Sequence, residues 1–126
     1  MAGFKKLNAW QQGMALVKAI YAVVTHLPAK ERKFGLGDQM RRAAISIPSN
    51  IAEGHGRGSE KEFRHFLSIA SGSLAELETQ LLIGEQLNYF PSTTIEPILR
   101  LITELRSKID GLSKHLLNTP PQRRSR

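Results

Sequence analysis

From Phe63 onward, the positions Phe63, Leu67, Ala70, Leu74, Leu77, Leu81, Gly84 and Asn88 recur at alternating spacings of four and three. Such a register keeps one face of a helix apolar for about seven turns, and only its last two members lose apolarity. An alternating period-two pattern, the mark of a half-buried strand, appears nowhere in the chain. A stripe this long must be covered by other helices, so the chain is predicted to be all-α.

Three further segments carry the same period. In the first, Leu7, Trp10, Met14, Val17, Tyr21 and Val24 form an apolar seam, and Leu16, Ile20, Val23 and Leu27 form a second row beside it. The face is wider than a two-stranded coiled coil needs, so this helix is expected to touch more than one neighbour. Asn8 with Gln11 is predicted to cap it as a box, and Pro28 stops it, giving a helix from about Ala9 to His26. The second segment begins near Gly37 or Asp38 and presents Leu36, Met40, Ala43, Ala44, Ile47 and Ile51 inward, the small residues predicting close helix contact. The last follows the Pro91 to Thr94 break and repeats the spacing in Ile95, Ile98, Ile102, Leu105, Ile109, Leu112 and Leu116, with Pro97 tolerated in its first turn.

Four amphipathic helices with short connections pack most simply as an antiparallel up-and-down four-helix bundle, predicted here over residues 1–118. Residues 119–126, TPPQRRSR, contain no large apolar side chain and read as a disordered basic tail. Apolar positions off the main seams, namely Leu16, Ile20, Ile45, Phe66, Ile69, Leu82, Ile83, Leu99 and Leu101, exceed what one inner stripe per helix buries. That surplus predicts an oligomer.

The stretch from Gln39 to Phe63 holds most of the unusual residues. Pro48 lies inside the second helical pattern, where it removes a backbone donor at a cost of about 3 kcal/mol unless the helix bends, so a second helix kinked by Pro48 near residues 44–47 is expected. Ser46, Ser49, Asn50 and Glu53 set polar atoms beside that turn, and the reading preferred for them is structural: they satisfy freed backbone groups and fix a hinge at Gly54. Gly54, Gly56 and Gly58 then supply a tight connection, and Ser59 with Glu62 forms a capping box for the next helix.

The chain has no cysteine, which removes disulfides, thiolate metal sites and cysteine nucleophiles and fits a reducing cytoplasm. Neither a signal-peptide pattern nor an apolar run long enough for a membrane span is present in the sequence given, so a cytoplasmic protein without a membrane partner is expected. The formal charge is +7. Residues 1–27 contribute +3, residues 30–65 another +3, residues 66–118 contribute −2 and the tail +3. Such a balance suits a polyanion partner, RNA or DNA, although many basic proteins merely carry a solvated positive face.

Arg41, Arg42, Arg57, Lys61 and Arg64, with His65, are the candidate phosphate-binding set. Arg41 and Arg42 are adjacent and point about 100° apart, so at least one reaches solvent or a neighbouring subunit. Pairing of these arginines with Glu76, Glu78 or Glu85 of another copy is an equal alternative. Enzymatic readings are weaker. Glu62 and His65 have the Glu-x-x-His spacing of carboxylate-bridged dimetal bundles, but a second such pair is missing, so no metal or other cofactor is expected. The Gly54 to Gly58 run follows a helix and lacks the Gly-Lys-Ser/Thr ending of a phosphate loop, so no small-molecule substrate is expected either.

Trp10, Phe34-Gly35-Leu36, Gln39-Met40-Arg41-Arg42-Ala43-Ala44, the run from Ser46 to Gly54, and Ser71-Gly72-Ser73-Leu74-Ala75-Glu76-Leu77-Glu78 stand in an order that resembles the bacterial four-helix bundle proteins encoded in intervening sequences of 23S ribosomal RNA genes. The resemblance covers about residues 4 to 90 strongly and the last helix by pattern alone. That family is in turn similar to the accessory variability determinant proteins of diversity-generating retroelements, which implies a homopentamer that binds nucleic acid. No enzymatic activity is implied. The expected function is thus a self-assembling, RNA-binding accessory or scaffold; a purely structural or protein-binding oligomer is the alternative.

Overall fold

The computed structural model describes residues 3–118, so the basic tail expected at 119–126 lies outside the described residues, and it contains four long helices with two short helical turns. A 3-10 turn, Gly3–Lys6, leads into α1 (Asn8–Val24). The one-turn α2 (Ala29–Arg32) precedes α3 (Leu36–His55), and α4 (Glu60–Gln86) and α5 (Ser92–Asn118) complete the chain. Each long helix packs on its neighbour in sequence, and α1 also packs on α5, which closes the ring of an antiparallel four-helix bundle.

The α4 stripe behaves as its spacing predicts: Phe63, Leu67, Ala70, Leu74, Leu77, Leu81 and Gly84 are all buried. Asn88 lies past the helix in a left-handed conformation, φ 62°. The Tyr89 N–H donates to the Gly84 carbonyl at 2.8 Å and the Asn88 N–H to the Glu85 carbonyl at 2.9 Å, the bond pair of a Schellman ending. Phe90 then folds back over Gly84, where an added Cβ would meet its ring at 2.4 Å. On α5, Ile95, Ile98, Ile102, Leu105 and Ile109 are buried, while Leu112 and Leu116 are half-buried near the end. Because α5 starts at Ser92, Pro97 falls beyond the first turn, and Thr93, whose carbonyl loses the N–H donor four residues on, is exposed to water.

Helix α1 centres its buried face on the second row rather than on the expected seam, of which Val24 is buried and Leu7, Trp10 and Val17 pack partly buried against the core. Leu16 and Ile20 are fully buried, Val23 and Leu27 nearly so, whereas Met14 and Tyr21 of the expected seam are each 46% exposed. The two rows lie about 120° apart on the helix, and both are apolar. What selects the inner one is steric: Ala9 and Gly13 flank it, and Gly13 lets Pro48 of α3 approach so closely that an added Cβ would stand 3.3 Å from the proline Cβ. Leu16 and Ile20 are therefore core rather than surplus. The Asn8 box is absent as well: the N-cap is Leu7, without a side-chain cap, and the Gln11 amide donates to the Lys5 carbonyl of the preceding turn at 2.9 Å.

Helix α3 starts at Leu36, slightly before the expected Gly37, and continues through Pro48 to His55. Gly54 is thus inside the helix rather than in the connection. Its reason for being glycine is close approach, since an added Cβ would lie 2.6 Å from the Cβ of Phe66 on α4. The turn itself uses Gly58, at φ 89°, and Ser59 caps α4 by accepting from the Glu62 N–H at 3.1 Å. Gly54→Ala gains about 1 kcal/mol of helix propensity. The clash is with an atom fixed to the backbone and outweighs that gain, so a net loss of about 1–2 kcal/mol is expected in urea unfolding.

Candidate nucleic-acid interface

The five candidate cations divide between opposite ends of α3. Arg41 and Arg42 sit near its start, and Arg57, Lys61 and Arg64 lie around the α3–α4 turn, about 24 Å away at 1.5 Å per residue. The bundle does not bring them into one patch.

Charge separates the two groups further. Between residues 53 and 65, Arg57, Lys61 and Arg64 are matched by Glu53, Glu60 and Glu62, so this corner is formally neutral apart from its histidines. The Arg57 Nε pairs with the Glu53 carboxylate at 3.0 Å, and its guanidinium lies 5.0 Å from the Phe66 ring centre. The Arg64 Nε is buried without a hydrogen-bond partner among the described residues. Arg57, Lys61, Glu62, His65 and Phe66 line a shallow groove there. His65 stands edge-on to Phe66, and no group of three or more His, Asp or Glu among the described residues is arranged to hold a metal.

The other end is different. Between residues 30 and 42 five cations, Lys30, Arg32, Lys33, Arg41 and Arg42, face two carboxylates, Glu31 and Asp38. Glu31 is committed to the fold: one oxygen accepts from the Leu36 N–H at 2.9 Å, capping α3, and the other accepts from the Tyr89 hydroxyl at 3.4 Å. Asp38 pairs with the Arg42 Nε at 3.0 Å, but that arginine side chain is 80% exposed, so the pair contributes little and opens readily. Arg41 is half-buried; it donates to the Lys33 carbonyl at 3.3 Å and stands 6.0 Å from the Tyr21 ring. The two arginines do point apart, one along the bundle wall and one into solvent. Lys30, Arg32 and Lys33 were not among the candidates from sequence, yet counting charge over this short window would have found them.

The polar residues around Pro48 form a compact network. The Asn50 amide donates to the Ser46 carbonyl at 2.8 Å and to its Oγ at 2.9 Å, and the buried Ser73 of α4 donates to the same Oγ at 2.9 Å. Ser46 thereby ties α3 to α4 where Pro48 ties α3 to α1. Ser49 instead faces outward, into a groove of about 400 Å³ between α1 and α3 lined by Phe4, Trp10, Met14, Val17, Ile45 and Ala52.

Residues 5–111 match the profile of the 23S rRNA-intervening sequence protein family. The chain belongs to that family. The match runs through all four long helices and well into α5, further than the motifs legible in the sequence reach. No curated protein matches this 23S rRNA-intervening sequence protein. Among its described residues no helix is long and apolar enough to cross a membrane. The residues on which the resemblance rested fall into separate structural settings: Phe34 to Arg42 belong to the cationic end, whereas Ser46 to Gly54 knit α3 to its two neighbours.

Proposed function

We propose that this 23S rRNA-intervening sequence protein is a non-enzymatic cytoplasmic scaffold that assembles with copies of itself, as a pentamer, and binds RNA through the end of the bundle formed by α2 and the start of α3. The observation that carries the RNA half is the excess of three positive charges between Lys30 and Arg42, four of those five cations being solvent-exposed. Exposed arginines and lysines this close together meet consecutive phosphates and release their counterions. Assembly is supported by two separate apolar surfaces. One is the α1–α3 groove with Met14, Tyr21 and Ile45, each more than 40% exposed; the other is the outer face of α4 with Ile69 and Ile83. Unlike surfaces on one protomer are what a head-to-tail ring requires.

Titration of a labelled structured RNA across salt concentrations tests the RNA half. Tight retention at low ionic strength and a steep linear fall of log K with log salt are expected. A second reading, an oligomer that binds only protein, is favoured by the ion pairs that already occupy Arg57 and Arg106, the latter with Glu78 at 2.7 Å. It requires that no salt-dependent retention occur.

A further inference from the structure

The most exposed large apolar side chain among the described residues is Phe34, at 71%. It sits at the tip of the turn between α2 and α3, and that turn is braced on both sides. Glu31 holds the Leu36 N–H, Arg41 holds the Lys33 carbonyl, and Gly35 takes a left-handed φ of 68° that places the chain back into α3. Behind it, Gly37 packs so closely on α2 that an added Cβ would meet the Glu31 and Arg32 carbonyls at 2.5 Å. A phenyl ring at a slack loop tip could fold back onto the protein. Here the fixed backbone keeps it in water, at a continuing hydrophobic cost. The Lys33 ammonium stands 5.8 Å from the ring centre, and Lys30, Arg32, Arg41 and Arg42 lie within eight residues of Phe34 in the chain.

We propose that Phe34 is a base-stacking residue: its exposed ring receives an unpaired RNA base while Lys30, Arg32, Lys33 and Arg42 hold the phosphates on either side. An aromatic face set among basic side chains is the combination that single-stranded nucleic acid recognises, because every base offers a π-face and every linkage a charge. A paired base, already stacked within a helix, offers Phe34 nothing. The inference rests on the RNA-binding reading above and adds to it the form of RNA preferred.

The test uses the full chain, a labelled single-stranded oligouridylate and a labelled RNA duplex. Phe34→Ala is expected to weaken single-strand binding by roughly 5- to 150-fold while leaving duplex binding and the salt slope unchanged, and Phe34→Trp is expected to restore it. If the wild-type protein binds neither RNA, the RNA-binding reading fails and takes stacking with it. If the wild type binds and Phe34→Ala binds equally well, stacking alone is overturned. If Phe34→Ala changes the particle mass in light scattering, the ring is an anchor for a second copy, and the proposal is equally overturned.

Discussion

Leu16→Ala is expected to destabilise the protein by about 2–5 kcal/mol, while Met14→Ala, on the same helix, should change stability by less than about 1 kcal/mol. Leu16 has no exposed surface, and removing its branched end leaves a cavity within the closely packed core cluster to which it belongs. Met14 is nearly half exposed and loses little in an isolated protomer. Its truncation should instead be felt between protomers, as weaker assembly at low concentration. Urea unfolding at fixed protomer concentration checks the pair. Equal costs, or a larger cost at Met14, would mean that the Leu7 to Val24 seam faces inward after all.

The double change Arg41→Ala with Arg42→Ala is expected to make the salt dependence of RNA binding shallower by about 0.7 to 0.9 in slope, the share of the one phosphate contact made by Arg42. Affinity at low salt should fall by up to about tenfold for each arginine. Arg41 also holds the Lys33 carbonyl, so its loss loosens the turn as well as removing a charge. Replacing both by lysine separates the effects: charge is kept, the planar fork is lost, and the slope should stay near that of the wild type. A role in pairing subunits gives the opposite pattern, smaller particles with an unaltered slope.

The architecture was legible in the sequence wherever the apolar register was unambiguous. On α4 and α5 a single stripe at spacing four and three left one way to face the core, and Phe63 through Leu81 and Ile95 through Ile109 are buried as read. On α1 two stripes competed, and apolarity could not choose between them. The choice came from volume, through Gly13 against Pro48, which only the packed neighbour reveals. Gly54 taught the same lesson, since a glycine near a helix end reads as a turn residue until Phe66 is seen against it. The charged end was half legible. Arg41 and Arg42 stood out as a pair, but the bracing of the α2–α3 turn by Glu31 and Tyr89 joins residues far apart in sequence, and with it went the meaning of Phe34.

Inner rows that fill the bundle while outer apolar surfaces gather further copies is the claim on which the rest depends, and particle mass in solution tests it most directly. Light scattering of the purified full chain without RNA is expected to give five times the 14.1 kDa protomer mass. A particle that stays at 14.1 kDa at high concentration would contradict it.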